Sequence, residues 1–383
     1  MSRKIAEVEI EAGFHDRVET PVYFLLQKTS PPLEDNEHLY LEINDAKIPI
    51  QVIRHGDLLQ GWFILPWAKA GETLRGHLVL SEEGDEAGFS YDLKEDALIV
   101  NYGGKPVAGY NYGKSLSKPY LYPIFSTNGV RVTEDRPKDH VHHRSLWVAH
   151  GDVNGHDFWA EFKESGRIEA ENVKVNSCGK VFFELSSSNV WIARSGSIEL
   201  YEERTVRIWR LKRDVLLDIE IILSNREKDV RFGDTKEGGI LSIRVNEKIK
   251  VDNGGRIENS FGGINEAETW GKRAAWCDYS GVVDGQKVGI TAFDHVDNFR
   301  YPTYWHVRNY GLMTANMFGS SVFTNSPKNR GDYVLTKGEE LRFKYRVLVH
   351  EGGDSNYIKS RYIDFIYPPE VKVLTNKCET YMC

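Results

Sequence analysis

Five of the chain's twelve histidines lie within one stretch, DHVHHRSLWVAHGDVNGHDFW, which covers residues 139–159. They are His140, His142, His143, His150 and His156. Imidazole can act as a general acid, a general base or a metal ligand, so this density predicts a functional site. A single buried histidine more often only hydrogen-bonds to backbone, and that structural interpretation stays open for each of the five.

The spacing of the first three histidines predicts a metal site. On an extended backbone alternate side chains share a face, so His140 and His142 would point together and His143 would point away. An HxH pair on a strand commonly presents two imidazoles to one metal ion. We therefore expect one divalent ion (zinc, manganese or iron) on His140 and His142, with His306 as a further candidate ligand.

Polar side chains continue through the second half of the stretch, HGDVNGHD. If this segment is extended, it projects His150, Asp152, Asn154 and His156 from one side. Its two glycines make a loop an equally plausible conformation. We predict that four residues of the stretch bind substrate: Arg144, Asp152, Asn154 and Trp159. The arginine suits a carboxylate or anionic group, and the indole ring suits the apolar C–H face of a sugar.

The second candidate stretch is FGDTKEGG, residues 232–239, which directly follows a hydrophobic strand pattern. Charged loops bounded by glycine at strand ends are typical positions of catalytic groups. A carboxylate beside a lysine can act as a general acid or base, so Asp234, Lys236 and Glu237 are candidate catalytic residues. An exposed turn with surface charges explains the same pattern without a function.

The third candidate stretch is FDHVDNFRYPTYWHVRNYGLMTANMFG, residues 293–319. His306 and Arg308 are two residues apart, so one face of a strand would carry both. Aromatic rings that alternate with them suit a sugar or polyol site. We expect His306 and His143 to act as acid or base, and Tyr304 and Arg308 to bind substrate. A packed strand edge entered through Pro302 is the structural alternative.

Strands must position these candidates, because nearly every segment alternates with a period of two. In DVLLDIEIILSN the alternation places Val215, Leu217, Ile219, Ile221 and Leu223 on one face. The Lys-Arg-Asp before this segment and the Gly-Gly at 103–104 indicate hairpin turns. No stretch longer than about ten residues has a convincing helical period. The sequence predicts a mostly β protein.

The domain organisation follows from turn signals and a polar boundary. The first ~85 residues contain short strands spaced as in a small β-sandwich, and the acidic, glycine-containing segment at 81–88 indicates a boundary. We predict an accessory β-domain at 1–85, a catalytic domain at 86–375 and a flexible tail at 376–383.

Composition excludes several classes of protein. The net charge of −7 without a basic run argues against nucleic acid. No apolar run approaches the ~20 residues of a membrane span, the N-terminus lacks a secretory signal, and the four cysteines have no CxxC spacing. We therefore expect a cytoplasmic protein. Without GxGxxG, Walker or GxSxG motifs, we expect neither a nucleotide cofactor nor serine-hydrolase chemistry. The sequence leaves the oligomeric state open.

The three candidate stretches resemble the bacterial family labelled "methane oxygenase PmoA-like" over roughly residues 90–370. That label refers to a membrane enzyme, so we expect a different activity here. The resemblance implies carbohydrate or cyclitol catabolism and a large twisted antiparallel β-sandwich, like the supersandwich of galactose mutarotases, after the small N-terminal sandwich. The positions that match are His140, His142, His143, Arg144, His150, Asp152, Asn154, Asp157, Asp234, Lys236, Glu237, His306 and Arg308.

Three functional hypotheses follow. The first is a hydrolase or lyase acting on an oxidised (keto) sugar or a keto-cyclitol, with a metal or an acid to polarise the carbonyl and Glu237 or Asp234 as the base. The second is a metal-free sugar isomerase resembling a mutarotase. The third is a carbohydrate-binding module, which would explain the aromatic residues but not the density of titratable groups.

Overall fold

A computed structural model of the protein describes residues 3–26, 38–44, 46–55, 58–81 and 88–374. Along most of its strands, buried side chains alternate with more exposed ones, a period of two. In these ranges the chain forms 27 strands, three α-helices and two short 3₁₀ helices. The mostly β fold is therefore confirmed. Among the helices of these ranges, none is long and apolar enough to cross a membrane.

The strands are β1 (Arg3–Glu11), β2 (Arg17–Leu26), β3 (His38–Ile43), β4 (Ala46–Pro49), β5 (Gln51–His55), β6 (Leu58–Ala68), β7 (Thr73–Ser81), β8 (Phe89–Leu93), β9 (Ala97–Tyr102), β10 (Lys105–Asn111), β11 (Tyr120–Ile124), β12 (Leu146–His150), β13 (Arg167–Cys178), β14 (Phe182–Ile192), β15 (Ile198–Arg210), β16 (Asp214–Ser224), β17 (Val230–Phe232), β18 (Gly238–Arg244), β19 (Arg256–Asn259), β20 (Lys272–Arg273), β21 (Trp276–Val283), β22 (Gln286–Asp294), β23 (Tyr304–Arg308), β24 (Leu312–Asn316), β25 (Tyr333–Leu335), β26 (Glu340–His350) and β27 (Glu370–Leu374). The helices are α1 (Asn265–Thr269), α2 (Ser320–Phe323) and α3 (Ser355–Ile366), and the 3₁₀ helices are Glu247–Ile249 and Val251–Asn253.

The first of two compact units is a small β-sandwich, as predicted. It has a five-stranded sheet in the order β27-β1-β7-β3-β4 and a three-stranded sheet in the order β2-β6-β5. Alternate side chains of the two sheets meet in one core, which includes Ile10 of β1, Phe24 of β2 and Phe63 of β6. Burial of these apolar faces is what holds the two sheets together.

The first unit is discontinuous, which the predicted boundaries did not anticipate. Besides residues up to Phe89, it contains Ser177–Phe182 and the described residues from Lys359 onward. The predicted catalytic domain at 86–375 therefore extends too far, because β27 pairs antiparallel with β1 of the first sheet. Such long-range pairing leaves no local signal in a strand's own sequence. The predicted tail at 376–383 lies outside the described residues.

The second unit contains the two large sheets of the fold. One has nine strands in the order β20-β23-β24-β18-β12-β11-β10-β9-β8, and the other has eight in the order β13-β14-β15-β16-β26-β22-β21-β19. In β16 the predicted face is buried throughout, from Val215 to Leu223, and Glu220 on the opposite face is exposed. This burial explains why the strand alternates in sequence.

Both predicted hairpins are present. β9 and β10 pair across Gly103 and Gly104, whose φ values of 55° and 76° require the left-handed conformation that glycine adopts readily. β15 and β16 pair across the turn that contains Lys-Arg-Asp. The helix α3, with twelve residues, was not predicted, because its apolar side chains form only a weak stripe.

Four neighbouring strands of the nine-stranded sheet position the residues with chemical potential. β12, β18, β24 and β23 are consecutive in this sheet, and each pairs antiparallel with the next. The histidine-rich turn (residues 137–143) precedes β12, and the FGDTKEGG loop precedes β18. The third stretch includes β23 and β24. Strands that are far apart in sequence thus bring the three candidate stretches to one region.

Candidate functional site

Side chains from all three stretches line one cavity of about 500 Å³ in the second unit. Its lining residues are His140, His142, His143, Asp157, Trp159, Ala160, Phe162, Lys236, Glu237, His306, Arg308 and Tyr310. A cavity of this volume can accept a small-molecule ligand. Eight of the lining residues are among those predicted to be functional.

The histidine-rich segment is a turn and not a strand, so the expected geometry of the HxH pair is wrong. The backbone N–H of His140 donates to Pro137, and that of His143 donates to His140. As a result all three imidazoles face the same cavity and contact one another. The His143 ring stacks on His140 with centroids 4.6 Å apart, and it meets the edge of His142 at the same distance.

His143 is the most deeply buried of the three, and its hydrogen bond determines its proton position. Its Nδ1 lies 3.1 Å from a guanidinium nitrogen of Arg244, which can only donate. The remaining ring proton of the neutral imidazole is therefore on Nε2. Burial, followed by the charges of His142 and Arg244, holds the pKa of His143 well below its usual range. His143 is thus a neutral hydrogen-bond donor.

His306 has the opposite arrangement. Its Nδ1 lies 2.8 Å from the backbone carbonyl oxygen of Lys236, which can only accept, so Nδ1 carries the proton and Nε2 has the lone pair. Burial lowers the pKa of His306 to about 4, against the opposing effect of the Glu237 carboxylate. At neutral pH this ring is an uncharged proton acceptor. As predicted, Arg308 shares its strand face.

Charged and aromatic side chains complete the lining. Lys236 and Glu237 form an ion pair of 3.0 Å, and both are about two-fifths exposed. Arg308 lies 3.3 Å from the Glu266 carboxylate. The ring of Phe162 is 69% exposed although it lines the cavity. Aromatic surface beside polar groups is what a sugar or cyclitol requires.

Arg144 lies outside the cavity, in contrast to its predicted role in binding substrate. It is almost fully buried and donates to both oxygens of Glu161, at 2.9 and 2.7 Å, and to Asp135 at 3.3 Å. Glu161 also lies 3.5 Å from the buried ammonium group of Lys118. Burial lowers the pKa of Lys118 to about 8. These charges form a structural network next to the site.

Four other predicted residues also lie outside the cavity lining. Asp152 pairs with Arg231, and Asn154 hydrogen-bonds to Glu199 from a loop with a left-handed φ of 53°. The HGDVNGHD segment is therefore a loop, the alternative that its two glycines indicated, and not an extended strand. Asp234 accepts hydrogen bonds from the backbone of Ser321 and Gly331, and Tyr304 stacks on Phe323.

The metal hypothesis concerns His140, His142 and His306, all of which line the cavity. In the described ranges, no group of three or more His, Cys, Asp or Glu side chains is arranged to hold an ion. His140 and His306 do have the outer hydrogen bonds that metal-bound histidines usually make, to Asp139 and to the Lys236 carbonyl. The divalent metal stays a prediction.

Arg244 is the main residue at the site that the sequence patterns did not indicate, and Tyr310 was predicted only as one of the aromatic residues of the third stretch. Arg244 is completely buried in β18, and its guanidinium lies 5.1 Å from the Tyr310 ring centroid. One signal was available, because an arginine within the apolar run ILSIRV must find a buried partner. Its partner, Asp139, is 105 residues away, so the sequence alone could not identify it.

His150 illustrates the structural interpretation of a buried histidine and leads to a prediction. It is completely buried, its Nε2–H donates to the Gly233 carbonyl oxygen, and burial lowers its pKa to about 4. The unfolded state, with an ordinary histidine pKa of about 6.5, binds more protons below that pH. The stability that depends on neutral His150 is therefore complete above pH 6.5 and is lost as the pH falls towards 4.

We expect this residue to contribute a loss of about 2 kcal/mol in the free energy of unfolding between pH 7.5 and pH 5.0. Urea unfolding of wild type and His150→Gln at both values measures it. The variant should be less stable at pH 7.5 but should depend less on pH. An equal pH dependence in the two proteins would contradict this assignment.

Comparisons with known proteins identify a family for this chain but no activity. Residues 97–359 match the family described as "Family of unknown function (DUF6807)". No curated protein matches the chain.

The solved structures that match this chain have low sequence identity to it. A glycosyl hydrolase family 38 protein from Enterococcus faecalis is 11% identical, with a TM-score of 0.41, over 97% of this chain and 48% of that one. An α-mannosidase from Enterococcus faecalis V583 is 11% identical, with a TM-score of 0.46, over 97% and 46%. A galactose mutarotase related enzyme from Lactobacillus acidophilus is 10% identical, with a TM-score of 0.29, over 70% and 98%. The chain spans about half the length of the two hydrolases.

Proposed function

We propose that this chain, which belongs to the Family of unknown function (DUF6807), is an enzyme of carbohydrate metabolism. Its reaction is proton transfer on an oxidised (keto) sugar or keto-cyclitol, leading to elimination or hydrolysis at the neighbouring bond. One observation carries the proposal: His143 and His306 line the same cavity as neutral imidazoles with opposite proton positions. A buried acid and a buried base are what enolisation of a ketone needs.

The residues of the cavity divide this reaction as follows. The Nε2–H of His143 donates a hydrogen bond to the ketone oxygen and stabilises the negative charge that develops there. The Nε2 lone pair of His306 takes the proton from the carbon next to the ketone. The electron pair of that C–H bond forms a C=C bond, and the C–O bond on the following carbon breaks. The departing oxygen receives the proton from His306, and water can later add to the product.

The other lining residues bind the substrate. Lys236, Glu237 and Arg308 offer donors and acceptors to hydroxyl groups, and Trp159 and Tyr310 offer ring faces to apolar C–H surfaces. The assignment of His306 as the base differs from the hypothesis based on sequence, in which Glu237 or Asp234 is the base. Asp234 is held by backbone donors outside the cavity, and Glu237 is paired with Lys236.

The test is an exchange assay in D₂O with a panel of keto-glycosides and keto-inositols, with and without added zinc, manganese or iron. We expect deuterium to enter the carbon next to the ketone and an enone and a free alcohol to appear, both followed by ¹H NMR. Anomerisation of unoxidised sugars without carbon exchange would replace the proposal with the isomerase. Saturable binding without either reaction would replace it with the carbohydrate-binding module.

A further inference from the structure

Arg244 is a buried cation that the reaction described above does not use. It ends β18, where its backbone N–H donates to Ser145, and its side chain is fully enclosed. A completely buried guanidinium requires partners for its donors, and the partners of its two terminal nitrogens belong to the histidine-rich turn. One terminal nitrogen of Arg244 contacts both oxygens of Asp139, at 2.8 and 2.7 Å, and the other contacts His143 Nδ1.

Asp139 connects this arginine to a second histidine. One of its carboxylate oxygens lies 3.0 Å from His140 Nδ1, and a carboxylate can only accept. In neutral His140 the proton is therefore on Nδ1 and the lone pair is on Nε2. The stacked rings of His140 and His143, with centroids only 4.6 Å apart, thus have opposite proton positions.

Packing prevents either ring from adopting the other arrangement easily. The His143 ring stacks on His140, with centroids 4.6 Å apart, and on Trp147, with centroids 5.5 Å apart. It also makes an edge-to-face contact with Trp159 at 5.6 Å. The His140 ring also stacks on Tyr310, with centroids 4.6 Å apart. With the ring planes fixed, the hydrogen-bond partner at Nδ1 decides which nitrogen of each ring carries the proton.

We infer that Arg244 is a positioning residue that fixes His143 with its proton on Nε2, and that its pair with Asp139 fixes His140 with its proton on Nδ1. The inference rests on the proposed function only for its consequence, which is that His143 presents a donor to a ligand oxygen. The proton positions themselves follow from the hydrogen bonds. The ligand recognised by His143 is thus an oxygen acceptor, such as a ketone.

The experiment is long-range ¹H–¹⁵N correlation NMR of the full chain labelled with [¹⁵N]histidine, at pH 7.5. The His143→Gln variant identifies the His143 signals by their loss. We expect wild-type His143 to show a protonated Nε2 and an unprotonated Nδ1. A proton on Nδ1 would overturn the inference without any variant of Arg244.

Two variants then separate hydrogen bonding from charge. Arg244→Met removes the donor, and it leaves no fully buried lone charge, because Asp139 is 41% exposed. Arg244→Lys keeps the charge but lacks the planar fork that reaches Asp139 and His143 together. We expect both variants, with wild-type circular dichroism, to show mixed proton positions on His143. An unchanged His143 spectrum in either variant would overturn the inference.

The exchange assay distinguishes this inference from the proposed function. If wild type exchanges deuterium, we expect Arg244→Met to lower kcat in proportion to the fraction of His143 that loses its Nε2 proton, about two-fold for an equal mixture of the two forms, with KM nearly unchanged. If wild type does not exchange but His143 has the expected proton position, the proposed function fails and the positioning by Arg244 stands. If the proton is on Nδ1, the positioning fails whatever the assay shows.

Discussion

His306→Asn should lower kcat for deuterium exchange by about 10²- to 10⁴-fold, the usual contribution of a general base. The reason is the loss of the Nε2 lone pair in the cavity. The asparagine amide can still donate to the Lys236 carbonyl oxygen, so the loop before β18 should keep its structure. KM should change little, because Arg308, Lys236 and the aromatic rings remain.

The matched control is His156→Asn, which changes a histidine of the first stretch that does not line the cavity. This variant should exchange deuterium at the wild-type rate. Initial rates in D₂O for both variants, measured at saturating and at low substrate, give kcat and KM separately. Wild-type kcat in His306→Asn would remove this histidine from the reaction and return the role of base to Glu237.

Arg144→Leu should lower the free energy of unfolding by about 3–5 kcal/mol, the usual effect of removing one partner from a buried ion pair. Burial by itself raises the pKa of the Glu161 carboxyl, but the hydrogen bond from Arg144 and the charges of Lys118 and Arg144 together outweigh burial, so the net pKa is lowered. Leucine would leave Glu161 with only Lys118 as a counter-charge and would take the cation from above the Tyr120 ring, 5.1 Å away.

Urea unfolding followed by circular dichroism measures this loss, with Arg308→Leu as the control. Arg308 is 36% exposed and lines the cavity, so its removal should change the free energy of unfolding by less than about 1 kcal/mol. The control should instead raise KM. If Arg144→Leu unfolds like wild type but loses activity, the original prediction that Arg144 binds substrate would be restored.

The residue types of the site could be predicted from sequence, but their relations could not. Clustered histidines, the glycine-bounded Lys236-Glu237 pair and the His306-x-Arg308 spacing are local patterns, and each identified residues that line the cavity. Arg144 and Asp234 have the same local appearance. They differ only in their partners, Glu161 and the backbone of Ser321 and Gly331, which come from other segments.

The backbone of the histidine-rich turn is the clearest case of a wrong local prediction. The HxH spacing is compatible with a strand, but Arg244 and the hydrogen bonds between 137 and 143 stabilise a turn instead. That difference changes which side chains meet. In a strand His143 would point away from His140, whereas in the turn the two rings stack.

Local patterns are enough to predict the strand-rich fold, the hairpins at 103–104 and before β16, and the three stretches that contain the chemistry. Alternation of apolar residues and turn-forming glycines act over only a few residues. Long-range contacts establish that β27 joins the first unit, that three stretches line one cavity, and which nitrogen of His143 carries the proton. These depend on contacts such as Asp139 with Arg244, which only folding brings together.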